Sequence, residues 1–162
     1  MDFFSRSPEQ TRLVGRRLGE ALETGDVICL QGDLGAGKTT FVQGIAQGWG
    51  SIDSVSSPTF ILVNVYRRAD VGGSTQPLLF HMDAYRLDST SEAEELDLDT
   101  MLAQGALLIE WPERMNGLIP EERLWVNLEP MDEEEREMKF KASGERYDEI
   151  LEVIRHDTLG GG

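Results

Sequence analysis

Gly32-Asp33-Leu34-Gly35-Ala36-Gly37-Lys38-Thr39 is a complete G-x-x-x-x-G-K-T stretch, and its flanks decide how it is read. Upstream, Val27-Ile28-Cys29-Leu30 predicts a short buried strand. Downstream, Phe41, Val42, Ile45, Ala46 and Trp49 recur on one helical face. The glycines therefore fall at a strand-to-helix turn. In such a turn successive backbone N–H groups curl around a polyphosphate, and the helix N-terminus adds partial positive charge aimed at it. Lys38 would reach the β- and γ-phosphates, and Thr39 would offer its hydroxyl to Mg²⁺.

Outward from the loop, the chain reads as helices and strands in alternation. Ser7-Pro8-Glu9-Gln10 is a helix start, with Ser7 as N-cap, Pro8 in the first turn and Gln10 completing a capping box. The stripe Leu13, Val14, Leu18, Ala21 and Leu22 carries this helix toward Gly25, its expected end. Beyond the loop helix, Gly48, Gly50, Ser51 and Asp53 mark a break. The β-rich run from Ile61 to Tyr66 and the run from Leu78 to Asp83, joined around Gly72-Gly73, predict a hairpin. A polar, acidic helix is expected from about Ser91 to Leu102. After it, Ala106-Leu107-Leu108-Ile109-Glu110-Trp111 predicts a strand buried on both faces. Past Pro120, the runs Leu124 to Leu128 and Met138 to Ala142 flank an acidic turn, and Tyr147, Ile150, Leu151 and Ile154 return to helical spacing. The expected fold class is α/β, a P-loop NTPase-like three-layer fold with a mixed central β-sheet flanked by helices. One domain is expected over 1–157, with 158–162 as a disordered tail.

Composition narrows the partners. Fifteen Lys and Arg against thirty Asp and Glu give a formal net charge of −15, which repels nucleic acid and anionic membrane over most of the exterior. Any nucleic-acid role is therefore indirect. The single Cys29 reads as a small buried hydrophobe in the strand before the loop. No apolar run approaches the roughly 18 residues needed to span a bilayer, so no membrane role is expected and cytoplasm is the expected location.

A phosphate loop needs an acid to hold Mg²⁺ directly or through water, and that acid usually ends a strand at the carboxyl edge of the sheet. Two candidates exist, Asp83 after Leu78 to Met82 and Glu110 after Ala106 to Ile109. One can ligate while the other orients a water; spacing does not decide which. Thr59, following Pro58 at the head of a strand, resembles a switch threonine that senses a γ-phosphate. It is equally readable as a β-branched residue opening that strand. His81 shares a strand face with Asp83 if the strand is regular, which allows an imidazole bond to the site or an ordinary strand-end histidine. Arg86 could pair with Asp83, bind a partner or stabilise transferred phosphate. The acidic stretches Glu92 to Glu95 and Asp132 to Glu135 read as solvated faces.

Four segments in this order, Gly32 to Thr40, Ser57-Pro58-Thr59-Phe60, His81-Met82-Asp83-Ala84-Tyr85-Arg86-Leu87 and Ile109-Glu110-Trp111-Pro112, resemble the TsaE (formerly YjeE) family. Its members are small bacterial ATPases of the pathway that makes threonylcarbamoyladenosine in tRNA. The resemblance runs from Ser5 to about Asp157. It implies that Gly35, Ala36, Gly37, Lys38, Thr39 and Thr40 bind ATP, that Thr39 and Glu110 coordinate Mg²⁺, and that Asp83 and Thr59 lie near the γ-phosphate. It also implies that Trp111 matters for activity and that Ser5 and Arg136 add ATP contacts. The implied partner is the TsaB–TsaD synthase, whose cycle ATP hydrolysis would drive, with tRNA touched only indirectly. The alternatives are a small-molecule P-loop kinase, for which no Arg-bearing lid is visible, a guanine switch protein, which lacks an Asn-Lys-x-Asp motif, and a nucleotide-bound adaptor that does not need hydrolysis.

Overall fold

The computed structural model describes residues 1–33, 35–56, 63–69, 76–87, 94–115 and 117–159. Their strands are β1 (Asp2–Ser5), β2 (Val27–Gln31), β3 (Val63–Tyr66), β4 (Leu78–Asp83), β5 (Gly105–Glu110), β6 (Arg123–Pro130) and β7 (Arg136–Ser143). The helices are α1 (Pro8–Ala21), α2 (Lys38–Trp49), α3 (Leu98–Gln104) and α4 (Glu145–Leu159), with a 3-10 turn at Pro112–Met115. The strands form one sheet in the order β1-β7-β6-β2-β5-β4-β3. Neighbours among β6, β2, β5 and β4 run parallel, while β3, β7 and β1 add antiparallel flanks. This is the mixed sheet the sequence predicted. Burial explains the parallel centre: all six residues of β5 are buried, as an apolar run covered on both faces requires.

One face of the sheet packs Ile28, Leu30, Leu108 and Val126 against α1, α2 and α4. The other packs Val27, Cys29, Leu107 and Ile109 with Met115 and Ile119, and with the partly buried Leu98, Met101 and Leu102 of α3. At the floor of the sheet, Tyr147 accepts a hydrogen bond from the Val27 N–H at 2.8 Å. Arg146 makes a two-point ion pair with Asp26, at 3.1 and 2.8 Å.

The N-terminus of α1 follows its sequence signal, since Ser7 Oγ accepts from the Gln10 N–H at 3.2 Å. The return bond of the box closes one residue early, from the Arg6 N–H to Gln10 Oε1 at 2.7 Å. The helix stops at Ala21 rather than running to Gly25. Gly25 instead takes φ +96° in the turn before β2, where its N–H donates to the Gly105 carbonyl at 2.9 Å. The acidic helix expected from Ser91 to Leu102 also needs correction. Residues 91–93 lie outside the described residues, Glu95 to Asp97 are not helical, and α3 begins at Leu98 because Asp97 caps it, its side chain accepting from the Thr100 N–H at 3.1 Å. At the other end α4 runs to Leu159, two residues into the segment expected as a tail. Gly72-Gly73, the expected hairpin turn, falls outside the described residues, but β3 and β4 do pair antiparallel.

The strongest helix contact was invisible in the periodicity. Four glycines let α1 and α2 meet backbone to backbone. A Cβ on Gly15 would stand 2.5 Å from the Phe41 carbonyl oxygen, and one on Gly19 would stand 2.0 Å from that of Ile45. Reciprocally, a Cβ on Gly44 would meet Arg12 O at 2.3 Å, and one on Gly48 would meet Arg16 O at 2.0 Å. This seam fixes the helix that carries the glycine-rich loop.

Candidate functional site

The loop leaves β2 at Gly32 and enters α2 at Lys38. Gly35 and Gly37 take φ of +83° and +94°, a left-handed backbone that glycine adopts without a Cβ penalty. Gly37 is the N-cap of α2, no side chain caps the helix and its first turn holds no acid. Among the described residues, no side chain caps the N–H groups of that end, which suits them to meet an anion.

Strand register brings the two candidate acids to this end. Glu110 pairs with Leu30 of β2 on one side and with Asp83 of β4 on the other, so both carboxylates sit at the carboxyl edge beside the loop. Alternation along the strands turns His81, Asp83 and Glu110 toward the face that holds α2, opposite to Met82 and Ile109. Lys38, only 6% exposed, reaches back over the strands. Its Nζ lies 3.8 Å from Glu110 Oε1, an ion pair too long for a hydrogen bond, and 4.3 Å from the centroid of the Trp111 ring. The other Glu110 oxygen, Oε2, is 2.6 Å from His81 Nε2. Asp83 Oδ1 accepts from the Tyr85 N–H at 2.9 Å. Burial, and secondarily the Glu110 charge, hold the Asp83 carboxyl above its ordinary range, against the lowering effect of that hydrogen bond, Lys38 and His81.

Trp111 is held at φ +58°, the one positive φ outside glycine among the described residues. For a bulky side chain this conformation costs on the order of 1–3 kcal/mol and persists only where the surroundings over-determine it. Here the ring is fixed between Lys38 and Tyr85, whose centroid lies 4.8 Å away. Trp111 thereby closes one side of the lysine.

Arg136 braces the other side. Register pairs it with Ser5 across β1 and β7, so the two residues expected to add nucleotide contacts are neighbours. The guanidinium donates from Nε to the Ala36 carbonyl at 3.0 Å and from Nη2 to Gly35 at 3.2 Å. Its Nη1 reaches the carbonyls of Asp132, Glu133 and Glu135. Ser5 is 1% exposed, and its hydroxyl donates to the Ser7 carbonyl at 2.8 Å and lies 2.6 Å from Thr11 Oγ1. Thr39 is exposed and Thr40 half-buried in the first turn of α2. Thr59 lies outside the described residues.

Cleft size does not mark this site. A concavity of about 210 Å³ runs along the loop past Gly32, Asp33, Trp111 and Asn127. A larger one of about 470 Å³ is lined by Glu94 to Asp99 and Leu118 and touches none of the loop. What distinguishes the loop end is its chemistry. A free helix N-terminus, a buried lysine and two adjacent carboxylates suit a phosphate chain bridged to a divalent ion. Glu110 Oε1 accepts no hydrogen bond among the described residues, and Thr39 stands at the helix start. That donor set matches Mg²⁺, which takes one or two protein oxygens and leaves the rest to phosphate and water.

The sequence reading brought Lys38, Asp83, Glu110, Trp111 and the loop together, and the structure places them at one end of the sheet. Tyr66 it missed. At the end of β3, Tyr66 Oη lies 2.8 Å from His81 Nδ1. No local pattern marks that contact, because it depends on how β3 and β4 pair.

No helix among the described residues is long and apolar enough to cross a membrane. Residues 5–138 match the family model "Threonylcarbamoyl adenosine biosynthesis protein TsaE". The chain is 38% identical over 155 residues to the tRNA threonylcarbamoyladenosine biosynthesis protein TsaE of Bacillus subtilis, covering 94% of this chain and 93% of that one. It is 37% identical over 151 residues to the Streptomyces coelicolor protein of the same name, covering 93% and 89%. The crystal structure of Bacillus subtilis YdiB superposes with a TM-score of 0.76 at 34% identity, covering 97% of this chain and 95% of that one. Together with the loop, the paired acids and the sheet order, these matches establish that the chain belongs to the TsaE family of tRNA threonylcarbamoyladenosine biosynthesis.

Proposed function

We propose that this protein is an ATPase that hydrolyses ATP with Mg²⁺ and, in the cytoplasm, uses that hydrolysis to drive the cycle of the TsaB–TsaD synthase. The observation that carries the reading is the Lys38–Glu110 pair at the free N-terminus of α2. A buried cation and a metal-competent carboxylate meet where a γ-phosphate would sit. Mg²⁺, when bound, would supply charge neutralisation between the phosphates and would be held by Thr39 and Glu110. The loop amides and Lys38 orient the phosphates. Asp83, whose carboxyl is held above its ordinary range, stands beside Glu110 to accept a hydrogen bond from the attacking water. The Trp111 ring, 4.3 Å from Lys38 Nζ, covers one side of the buried lysine, and exclusion of water there strengthens its attraction for a phosphate. Arg136 shapes the loop from the opposite side by holding the Gly35 and Ala36 carbonyls, and Ser5 stands beside it in register.

Intrinsic turnover is expected to be slow. All three nitrogens of Arg136, the arginine nearest the loop, already donate to carbonyls, so this side chain offers no free guanidinium to the transition state. The partner would supply or place the missing charge. The test is ATP hydrolysis by this protein alone, by TsaB–TsaD alone and by the mixture. Hydrolysis by the mixture no greater than the sum of the parts would refute the coupling. Under the adaptor alternative, a Glu110→Ala protein would still support tRNA modification; we expect it to fail.

A further inference from the structure

We infer that His81 and Tyr66 form a positioning relay that aims the Glu110 carboxylate at the metal and ties it to the backbone at Ser56. The inference rests on the reading of Glu110 as the metal acid. Glu110 ends β5 with its two oxygens in different surroundings. Oε1 faces Lys38 at 3.8 Å; Oε2 is held by His81 Nε2 at 2.6 Å. Rotation about the Cγ–Cδ bond moves both oxygens together and would carry Oε2 away from Nε2, so holding Oε2 fixes where Oε1 points. As a carboxylate only accepts, Nε2 is the nitrogen that carries the proton.

His81 is itself fixed. It is 2% exposed, and its Nδ1 lies 2.8 Å from Tyr66 Oη, so both ring nitrogens are engaged and the ring cannot flip without losing two bonds. Tyr66, also 2% exposed, carries the chain onward. Because Nε2 holds the ring proton, Nδ1 takes the one hydroxyl proton of Tyr66, whose oxygen accepts from the Ser56 N–H at 3.4 Å and lies 3.1 Å from the Ser56 carbonyl. Asn64 Nδ2 seconds the hold, 2.7 Å from the same carbonyl. The path Glu110–His81–Tyr66–Ser56 therefore crosses β5, β4 and β3 and ends on the loop beyond them. A structural histidine needs a partner at each nitrogen. It does not need one partner to be the metal acid and the other to grip a backbone that lies outside the sheet.

Partners that orient a metal-binding group are worth about 10- to 100-fold in metal affinity or activity. The experiment titrates Mn²⁺, followed by electron paramagnetic resonance, into the whole protein carrying a non-hydrolysable ATP analogue. Metal-free affinity for the analogue and the thermal midpoint are measured on the same samples. For His81→Leu, the Mn²⁺ concentration at half-saturation should rise at least tenfold while metal-free nucleotide affinity stays put. His81→Gln keeps a donor near the Nε2 position and should recover most of the loss. Tyr66→Phe, which removes only a hydroxyl, should weaken Mn²⁺ about fivefold, the worth of one hydrogen bond. It should also erase the added protection of the Ser56 amide against hydrogen exchange that wild type gains on binding Mn²⁺ with the analogue. Should His81→Leu fail to fold, the Gln and Phe variants carry the test alone. Wild-type Mn²⁺ affinity in Tyr66→Phe and in whichever His81 variants fold, alongside loss in Glu110→Gln, overturns the relay and leaves Glu110 as the metal acid. Wild-type affinity in Glu110→Gln overturns the metal reading, and the relay falls with it.

Discussion

Gly19→Ala tests the close approach of α1 and α2 most directly. The added Cβ would stand 2.0 Å from Ile45 O, 2.8 Å from Trp49 N and 2.9 Å from Ile45 C. All three are backbone atoms of α2, so no rotamer change relieves the overlap. A carbon and a carbonyl oxygen settle at about 3.3–3.6 Å, and the helices must therefore part by about 1.3 Å at this level. Parting loosens Leu18 and Ile45, both fully buried. Overpacking of this kind costs about 1–3 kcal/mol, and the rigid obstacle argues for the upper end. Alanine's better helix propensity returns about 1 kcal/mol, leaving a net loss of about 2 kcal/mol. For a chain of this size that lowers the midpoint of thermal unfolding by about 4–8 °C. Circular dichroism at the helix band measures it, with Glu20→Ala as the control. Glu20 is exposed and holds only a 3.4 Å surface pair with Arg17, so the control should stay within about 0.5 kcal/mol of wild type. A Gly19→Ala protein as stable as wild type, or more so, would refute the seam.

Other consequences can be measured on the same protein. Tyr147→Phe leaves the buried Val27 N–H without its acceptor and should cost about 1–3 kcal/mol in urea unfolding. Burial pushes the Cys29 thiol up to about 12 from 9.0, so a thiol reagent at pH 8 should label it only after unfolding. Because the unfolded thiol ionises first, the stability that Cys29 contributes is complete below pH 9 and is lost as pH rises toward 12. Asp83 is raised by burial. Its ionised form therefore weakens the folded state above the ordinary carboxyl range and not below it. Asp83→Asn should raise the thermal midpoint at pH 7, keep its bond from the Tyr85 N–H, lose that gain in acid and lower ATP hydrolysis. Arg136→Lys leaves three donors in place of a fork, and amide exchange across Gly35 to Gly37 should quicken.

Local pattern made the loop, its strand and its helix legible, because a glycine-rich strand-to-helix turn is written in consecutive residues. β5 was legible too, since an unbroken apolar run has few other places to go. β1 was not: a four-residue strand on the outer flank of the sheet, with Phe4 exposed, has no pattern long enough to read. The seam was hidden for a different reason. Gly15, Gly19, Gly44 and Gly48 look like weak points in two separate helices, and only the partner's backbone turns them into contacts. In the site, Lys38 and Glu110 followed from motif chemistry. The link from Glu110 to Tyr66 spans two strand pairings, and no spacing within one segment encodes it. Thr59 stays an expectation, outside the described residues.

The Arg136 guanidinium bonds the carbonyls of the glycine-rich loop and those of the acidic hairpin tip from one planar group. Tip and loop are therefore the two ends of a lever with a single pin. Met131 to Glu134 are exposed at the tip, within reach of another molecule. Moving the tip by an ångström must either drag Gly35 and Ala36 along or break the pin. In mechanical terms, this small protein carries on its surface a handle for the loop that would grip its nucleotide.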